Sequence, residues 1–396
     1  MIKINNILTV FIIFSFYFVQ GQWLHTSFPL GPGVTSFAFS GTKVFASTHG
    51  GGVYLSNDNG ATWSGINIGL TDTTDVFAIA ESGGNIFAGT AGSGVFLSTD
   101  NGNSWSAVNN GLPDADTVNF ITVMGTNIFA GTYHGVFLSV NNGATWSAVN
   151  TGLTSTFVWT LAVSGTNLFA STNDGVFLSS NKGASWSAVN TGLTNTSVFS
   201  FAVSGSTIYA GTYGGGVFSS TNNGTNWTAV NTGLTNKNVL YMAASGTKLF
   251  AQTYGGGVFL FNNNGRNWSA VNTGLTNLNV FSSGINATTL FIFTQSGVWK
   301  RSLSDFPLTI DELENNSLLK VYPSPNKGIF NLEMEKQDRD LEISIVNLSG
   351  QIVYEQHITN LDQFEHNINI SENAPGVYLL KVKSKERISI GKIIIQ

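Results

Sequence analysis

Five aspartates in the first half of the chain are its candidates for acid–base chemistry. They fall in polar segments between apolar runs, at Asp72, Asp75, Asp114, Asp116 and Asp174. Hydrolysis of a glycosidic bond needs two carboxyl groups, one to protonate the leaving oxygen and one to attack or to activate water. The sequence does not fix the separation of any two of these residues. A polysaccharide hydrolase is therefore the alternative interpretation, and a catalytic pair is not the preferred one.

A second group of residues suits ligand binding better than catalysis. It comes from short Gly-rich segments such as "THGGG", "TYHG", "TNDG" and "TYGGG". The candidates are His49, Tyr133, His134, Asp174, Tyr213 and Tyr254. Aromatic rings beside amides and carboxylates stack on sugars or peptides and orient them by hydrogen bonds. The alternative, that the Tyr rings only pack on neighbouring loops, stays open. Two histidines without a third ligand at a recognisable spacing predict no metal, and we expect no cofactor.

A polar segment that ends in Trp recurs six times, first as "SNDNGATW" and then as "STDNGNSW". Its acidic residue, Asp58 or Asp100 in these two copies, is Asn in the other four. Calcium would require charged ligands and a closing Glu, which the copies lack. A structural turn is therefore preferred over a calcium site. In such a turn the Asp or Asn oxygen accepts bonds from nearby backbone N–H groups, Gly supplies a positive φ, and the Trp packs into its own blade.

The spacing of these segments predicts a β-propeller. Their tryptophans follow one another at 42, 41, 40, 41 and 41 residues. Three further patterns, an initial Val, an "IFAGT"-like run and "GVF", recur seven times. Each unit thus reads as four strands, for example "VFSFAV", "TIYAGT", "GVFSS" and "WTAVNTGL". A period near 41 residues with four strands is typical of a propeller blade.

The two ends of the array predict that it closes into a ring. The seventh unit stops after its third strand, at "GVWKRSLSDF", whereas "QWLHTSFPLG" at residues 22–31 resembles an isolated fourth strand. Trp23 would then be the missing seventh Trp. Because closure removes the exposed sheet edges that invite aggregation, we expect an all-β, seven-bladed propeller over residues 22–306, closed by its N-terminal strand.

The recurring turn resembles the Asp-box, or bacterial neuraminidase repeat, with the order Ser/Thr-x-Asp-x-Gly-x-Thr/Ser-Trp. The matching positions include Asp58, Gly60, Trp63, Asp100, Gly102, Trp105, Trp146, Trp186, Trp227 and Trp268. The resemblance implies a structural role for these residues. Asp-box propellers include sialidases, xyloglucan-degrading hydrolases and non-enzymatic binding proteins. Sialidases of this kind bind the substrate carboxylate with three Arg, but this propeller has only Arg266 and Arg301, so we do not expect a sialidase.

Composition and the N-terminus limit the cellular setting. The apolar run from Ile7 to Val19 is too short for a membrane span and predicts a signal peptide over residues 1–21; a membrane anchor is the alternative. No later stretch is predicted to cross a bilayer. Net charge is only −5 without a basic stripe, so nucleic acid is not an expected partner. The absence of Cys excludes disulfides and a thiol nucleophile.

The end of the chain differs in composition from the repeats. Of the 22 acidic residues, 13 lie from Asp311 onward. A linker over 307–317 is followed by short alternating strands, which predict a small antiparallel β-sandwich over 318–396. The segments "VYPSPNKGIF", "VNLSGQIV", "PGVYLLKV" and "GKIIIQ" resemble the C-terminal sorting domain of the type IX secretion system of Bacteroidetes. The resemblance implies Sec export, passage across the outer membrane through the secretion machinery, and release or attachment at the cell surface.

These patterns together predict a secreted or surface-displayed propeller that binds an extracellular glycan or protein without chemistry of its own. The alternative is a xyloglucanase-like polysaccharide hydrolase. Either function would be exerted on the face formed by the loops between second and third strands and between successive blades.

Overall fold

The structure is a computed structural model that describes residues 22–70, 75–114, 116–262, 267–306, 319–334, 340–347, 351–359, 365–383 and 388–396. The predicted signal peptide, Asp72, Arg266 and the predicted linker over 307–317 lie outside the described residues. The chain divides into two compact units, Met1–Leu308 and Thr309–Gln396. Within the described ranges, no helix is long and apolar enough to cross a membrane.

Seven antiparallel sheets of four strands each form the first unit. The first strands are β2 (Gly33–Ser40), β6 (Val76–Ser82), β10 (Val118–Met124), β14 (Val158–Ser164), β18 (Val198–Ser204), β22 (Val239–Ser245) and β26 (Val280–Ile285). The second strands are β3 (Lys43–His49), β7 (Asn85–Thr90), β11 (Asn127–Thr132), β15 (Asn167–Thr172), β19 (Thr207–Thr212), β23 (Lys248–Thr253) and β27 (Thr289–Thr294). A single 3₁₀ turn, Leu303–Asp305, follows the last blade in the described part of this unit.

The outer half of each sheet is shorter. The third strands are β4 (Gly52–Ser56), β8 (Val95–Ser98), β12 (Gly135–Ser139), β16 (Gly175–Ser179), β20 (Gly216–Ser220), β24 (Gly257–Asn262) and β28 (Gly297–Ser302). The fourth strands are β5 (Ser64–Gly65), β9 (Ser106–Ala107), β13 (Ser147–Ala148), β17 (Ser187–Ala188), β21 (Thr228–Ala229), β25 (Asn267–Ala270) and β1 (Leu24–His25). The second and third strands are buried on both faces, which is why they are apolar without a clean alternation.

The ring closes as the sequence predicts. Strand β1 pairs antiparallel with β28, Leu24 opposite Lys300 and His25 opposite Trp299, and so supplies the fourth strand of the seventh blade. The first strands of successive blades contact one another, and β26 contacts β2. The predicted seven-bladed propeller closed by an N-terminal strand is therefore confirmed.

Each repeated Trp joins its blade to the one before it. The indole N–H of Trp105 donates to the Ile66 carbonyl at 2.6 Å, and that of Trp146 to the Val108 carbonyl at 2.7 Å. Trp186, Trp227 and Trp268 make the same bond to Val149, Val189 and Val230. Trp23 completes the series with a bond of 2.7 Å to the Val271 carbonyl. The sequence predicted that each Trp packs into its own blade. The hydrogen bond to the preceding blade was not predicted.

Trp63 is the exception in this series. Its indole nitrogen is buried and has no hydrogen-bond partner. The Trp63 ring packs edge-on against Phe28 instead, with ring centroids 5.1 Å apart. Phe28 follows the closing strand β1, so the first and seventh blades meet through an aromatic contact where the other blades meet through a hydrogen bond. A buried donor without a partner loses its hydration and gains nothing in return.

The repeated turn has one geometry with two alternative hydrogen-bond directions. In the first copy the Thr62 hydroxyl donates to the Asp58 carboxylate at 2.6 Å, and the Thr62 N–H donates to it at 2.8 Å. In the third copy the Asn141 side-chain amide donates to the Thr145 hydroxyl at 2.9 Å, and its oxygen accepts from the Thr145 N–H at 2.9 Å. Because a hydroxyl both donates and accepts, Asp and Asn fit the same turn.

The backbone of this turn holds two successive residues in the left-handed region. Asn59 has φ of 54° and Gly60 a φ of 79°. The Ser56 hydroxyl, at the end of β4, accepts from the Gly60 N–H at 2.7 Å and donates to the Asp58 carboxylate at 2.7 Å. The sequence analysis had assigned a positive φ to the Gly alone. Asn at the preceding position is suited to this conformation because its short side chain tolerates it.

The second unit is a sandwich of two antiparallel sheets. One sheet has the order β29 (Leu319–Tyr322), β30 (Ile329–Met334) and β33 (Glu365–Asn369). The other has the order β32 (Ile352–Thr359), β31 (Asp340–Asn347), β34 (Gly376–Lys383) and β35 (Ile388–Ile395). Phe330, Ile343, Ile368 and Leu380 from both sheets form its core. The described residues thus give the predicted small β-sandwich.

The Trp series yields a matched pair of substitutions. We expect Trp146→Phe to cost about 1–3 kcal/mol more in free energy of unfolding than Trp63→Phe. The first change leaves the Val108 carbonyl without its donor, whereas the second removes a donor that has no partner. Urea denaturation followed by circular dichroism measures both variants. Equal costs would mean that the bond between blades contributes nothing beyond ring packing.

The acidic turns yield a prediction about pH. The Thr62 hydroxyl and backbone hold the pKa of Asp58 well below its usual range, and the Ser104 hydroxyl and backbone lower that of Asp100 to about 2. A depressed carboxyl pKa stabilises the fold above about pH 4 and loses that effect as the pH falls towards 2. The double variant Asp58→Asn and Asp100→Asn should melt within about 2 °C of the unaltered protein at neutral pH and lose less stability on acidification. A large fall in melting temperature at neutral pH, restored by calcium, would instead indicate a bound cation.

Candidate binding site at the mouth of the central channel

A β-bulge stands near the start of the first strand in every blade. In the fourth blade Val158 pairs with Thr172 and Thr160 pairs with Ser171, which leaves Trp159 between them unpaired. The register shifts at the same place in the other six blades. A bulge turns the unpaired side chain away from the direction that the pleat would give it. The seven unpaired residues, here called the bulge ring, are Thr35, Phe77, Asn119, Trp159, Phe199, Leu240 and Phe281.

All seven residues of the bulge ring line one cavity of about 730 Å³ at the mouth of the central channel. His49, Tyr133 and Gln295, from the loops between second and third strands, line it as well. The repeated turns join third to fourth strands and therefore lie at the opposite end of the blades. A cavity of this volume is within the range of small-molecule and oligomer sites.

Aromatic rings form a continuous arc along one side of this mouth. Tyr133 stacks on Phe157 with centroids 4.3 Å apart, and Phe157 lies 4.5 Å from Trp159. Phe199 follows at 5.3 Å from Trp159, and Tyr213 at 6.2 Å from Phe199. We call these five residues the aromatic arc. Tyr133, Trp159 and Tyr213 are 42%, 39% and 48% exposed, so the arc presents three rings to solvent.

Trp159 is the one exposed tryptophan among the nine, all of which the structure describes. Its indole N–H donates to the Asn173 side-chain oxygen at 2.9 Å. This bond fixes the ring orientation and occupies the only polar atom of the side chain. Trp159 can therefore offer a ligand its ring face, and not a hydrogen-bond donor.

Tyr241 forms the floor of the cavity. Its hydroxyl donates across the channel to the Thr35 backbone carbonyl at 3.3 Å. Burial raises the pKa of Tyr241 to about 12, so this hydroxyl stays protonated at physiological pH. A second cavity of about 350 Å³, also lined by Tyr241, lies deeper in the channel. Tyr241 thus lines both cavities.

A repeated Asn holds each loop between second and third strands in place. The Asn67 side chain accepts from the Val53 N–H at 2.7 Å and donates to the Gly51 carbonyl at 3.0 Å. Asn109, Asn150, Asn190, Asn231 and Asn272 repeat this clamp in the next five blades. In the seventh blade a ring nitrogen of His25 bonds to the Ser296 carbonyl at 2.7 Å. Gly52 has a φ of 72°, and a side chain there would overlap the Asn67 amide.

Two histidines of this face are paired with aspartates. His49 Nδ1 lies 2.7 Å from Asp75, and His134 Nδ1 lies 2.9 Å from Asp116. Asp116 is fully buried, and its second carboxylate oxygen has no partner. Each pair ties a loop within a blade to the segment that enters or leaves that blade. In both pairs the imidazole Nε2 is the nitrogen directed away from the carboxylate.

The predicted site residues are only partly brought together. His49 and Tyr133 line the cavity. Tyr213 and Tyr254 lie at its rim, where they contact Phe199 and Phe281 of the bulge ring at 6.2 and 5.8 Å. His134 and Asp174 belong to the same face but do not line the cavity. The sequence analysis missed the bulge ring, although its variable position directly after the repeated Val is visible in the sequence.

The candidate carboxylates are mostly engaged with protein groups. Asp75 and Asp116 bond to histidines, and Asp174 accepts from the Thr154 hydroxyl at 2.6 Å. Asp114 is exposed, and Asp72 lies outside the described residues. Arg301 is buried and donates to the Val271 and Asp305 carbonyls, away from this mouth. The described ranges hold no cluster of three His, Cys, Asp or Glu that could bind a metal.

Comparison with known families covers both units. Residues 320–396 match the secretion system C-terminal sorting domain. Residues 69–199 match the DUF6242 β-propeller domain. No curated protein matches the chain in sequence.

Solved structures share the propeller fold at low sequence identity. YCF48 from Cyanidioschyzon merolae is 16% identical with a TM-score of 0.58, over 72% of this chain and 100% of its own. YCF48 bound to D1 peptide gives 16% identity and a TM-score of 0.60, over 72% and 96%. The GH74 xyloglucanase from Xanthomonas campestris is 16% identical with a TM-score of 0.57, over 72% of this chain and 54% of the enzyme. Identities this low establish the fold alone.

The two family matches and the fold agree with the closed ring and the separate sandwich described above. The sorting domain indicates type IX secretion, and hence a secreted or cell-surface location. The chain thus resembles a DUF6242 β-propeller domain over residues 69–199 and carries a type IX secretion C-terminal sorting domain over residues 320–396.

Proposed function

We propose that this chain is an extracellular binding protein whose ligand, a glycan or a protein, occupies the mouth of the propeller. The bulge ring carries the proposal. Its seven side chains are unpaired in the sheet and face one cavity, so the blades do not dictate their identity. Four of the seven are nonetheless aromatic. Exposed aromatic rings around a preformed cavity of this volume are the usual composition of a binding site.

The rigidity of the mouth supports binding. The Asn clamps fix the loops, and backbone bonds join Tyr213 to Ser197 at 3.1 Å and Tyr254 to Asn238 at 2.9 Å. Side chains held in place before the ligand arrives lose little conformational entropy on binding. Propellers of similar fold include one solved with a bound peptide and one that is a xyloglucanase, which is consistent with a ligand on this kind of scaffold.

Hydrolysis of a polysaccharide is the alternative function, and the geometry favours it less. Both carboxyl groups of a glycosidase must reach the scissile bond. Asp116 has no exposed surface, and Asp75 and Asp174 already accept hydrogen bonds from protein groups. The binding interpretation needs no such pair.

The export route completes the proposal. Residues 1–21 would direct Sec export as a signal peptide, and residues 318–396 would then engage the type IX machinery across the outer membrane. The turns that end in Trp would be Asp-box turns of a propeller spanning residues 22–306, joined to the sorting domain by the linker 307–317.

Removal of the sorting domain tests the export route. In the native host, a chain truncated after residue 317 should accumulate in the periplasm, because the propeller alone has no sorting signal. Immunoblots of periplasm, cell surface and medium measure its distribution against the full chain. Normal appearance of the truncated protein in the medium would contradict the proposal.

The binding site is tested with Trp159 as the reporter. Acrylamide quenches exposed indoles, so quenching of the full chain should come mainly from Trp159. We expect a panel of soluble polysaccharides and peptides to contain members that reduce this quenching. The triple variant Tyr133→Ala, Tyr213→Ala and Tyr254→Ala should weaken that effect at least about tenfold, because hot spots concentrate in exposed aromatics.

The same experiment includes its controls. Val140→Ala, an exposed apolar residue in a repeated turn at the opposite end of the blades, should leave binding unchanged. The triple Tyr variant should melt close to the unaltered protein, since its rings are 42–48% exposed. A large fall in melting temperature would mean that the rings are structural. Release of reducing ends from a bound polysaccharide would favour the hydrolase.

A further inference from the structure

We infer that the ligand of this mouth is a neutral oligosaccharide that stacks along the aromatic arc. The inference rests on the proposed binding function and specifies the chemistry of its ligand. It follows from the charge of the mouth, from the arrangement of its rings and from the polar groups that are still free to recognise a ligand.

Charge argues against an anionic ligand. Among the described residues that line the cavity there is no Lys, Arg, Asp or Glu, and its one titratable imidazole, His49, is paired with Asp75. Lys237 is the only Lys or Arg in the loops of this face that the structure describes; it is exposed in the connection between the fifth and sixth blades and does not line the cavity. Asp75, Asp114, Asp116 and Asp174 lie on the same face. A carboxylate, sulfate or phosphate would lose hydration there without a compensating cation.

The arrangement of the rings argues against a cationic ligand. A cage for an ammonium group needs aromatic faces around an empty centre. Here successive rings touch one another, at 4.3 to 6.2 Å between centroids, and form a strip. The carboxylates Asp75 and Asp116 that could have neutralised a cation are bonded to histidines. The arc is therefore a platform for stacking.

The remaining polar groups favour a sugar over a peptide. A peptide that adds to a sheet edge needs main-chain hydrogen bonds from that edge, and a proline-rich peptide docks in a groove lined by aromatic rings. The Trp159 N–H is already bonded to Asn173, and the first strands, although they are the inner edges of their sheets, contact the first strands of both neighbouring blades. A pyranose presents a face of C–H groups that packs on an aromatic ring, and its hydroxyls suit the Gln295 amide and the side-chain oxygen of Asn119, whose NH2 group already donates to the Val158 carbonyl at 2.9 Å. A sugar chain can thus use both parts of the mouth.

The experiment compares ligands of matched length on the full chain. The probes are neutral gluco-, manno-, xylo- and xyloglucan oligosaccharides, an oligogalacturonide, a proline-rich peptide and a lysine-rich peptide. Protection of Trp159 from acrylamide and titration calorimetry are the readouts. We expect at least one neutral oligosaccharide to bind, with an affinity that changes less than about twofold between low and high salt, because no ion pair forms. The charged probes and both peptides should not protect Trp159.

Substitutions locate the binding on the arc. Trp159→Ala should weaken the neutral oligosaccharide at least about tenfold, whereas Trp159→Phe should stay within about threefold because it keeps a ring face. Val140→Ala should have no effect. The calorimetric readout serves for the two Trp159 variants, which lack the fluorescent reporter.

The possible failures are distinguishable. Binding of the oligogalacturonide or of a peptide, lost in Trp159→Ala, would overturn the neutral-sugar inference and leave the proposed binding function standing. Binding of a neutral sugar that Trp159→Ala and the triple Tyr variant do not affect would place the site elsewhere and overturn both. Failure of every probe to protect Trp159 would also overturn both.

Discussion

The structure depends on a geometrical constraint: seven successive contacts between blades must return the chain to its starting point. Six of these contacts use an indole N–H that donates to a carbonyl of the preceding blade. A net contribution of about 1 kcal/mol each is modest, but the bond also sets the angle between neighbouring sheets. The sixth of these bonds comes from Trp23, which lies before the first blade in the chain and belongs to the seventh blade in the structure. The ring therefore has a seam, and at that seam the packing of Trp63 on Phe28 replaces the hydrogen bond.

Repetition divides the residues of the propeller into two groups. The Trp bonds, the Asn clamps and the Ser-centred turns recur from blade to blade because each blade needs them to cover its neighbour. The side chains of the bulge ring and of the loop tips vary between blades because these repeated contacts do not involve them. The aromatic character of the unrestrained positions is thus the part of the structure that points to a ligand. This separation also explains why the acidic turns, which attract attention in the sequence, have no role at the mouth.

The fold was predictable from the sequence because its signals are spacings. The intervals between tryptophans predicted the length of the blade repeat. The "QW" segment, which lies before the first blade, predicted that the N-terminal strand closes the ring. The exchange of Asp for Asn favours a structural turn, and the structure shows that Thr62 and Thr145 reverse the direction of the bond. The loop tyrosines could be identified as candidates in the sequence because each of them directly follows a repeated Thr.

The centre of the site was not predictable, for reasons of register and contact. Trp159 sits in the largely apolar strand Val158–Ser164, and nothing in that pattern indicates that its neighbours pair around it. The pairing of His134 with Asp116 joins residues 18 positions apart through a fold that must exist first. The Asn clamps are visible as a "VN" pair in five repeats and as an "IN" pair in the first. Their partners are backbone groups, which the residue types do not reveal.

The bulge has a consequence for how such a molecule can change. A residue that is paired in the sheet must fit the residue opposite it on the neighbouring strand. Its substitution therefore affects folding. The bulged residue has no partner opposite, and Thr, Phe, Asn, Trp and Leu already stand there on nearly identical blades. The mouth therefore presents seven variable side chains on a repeated backbone, and three of them, Thr35, Asn119 and Trp159, also bond to neighbouring groups. Point mutations at these seven positions could change the ligand that related propellers recognise. The backbone of the blades would stay the same.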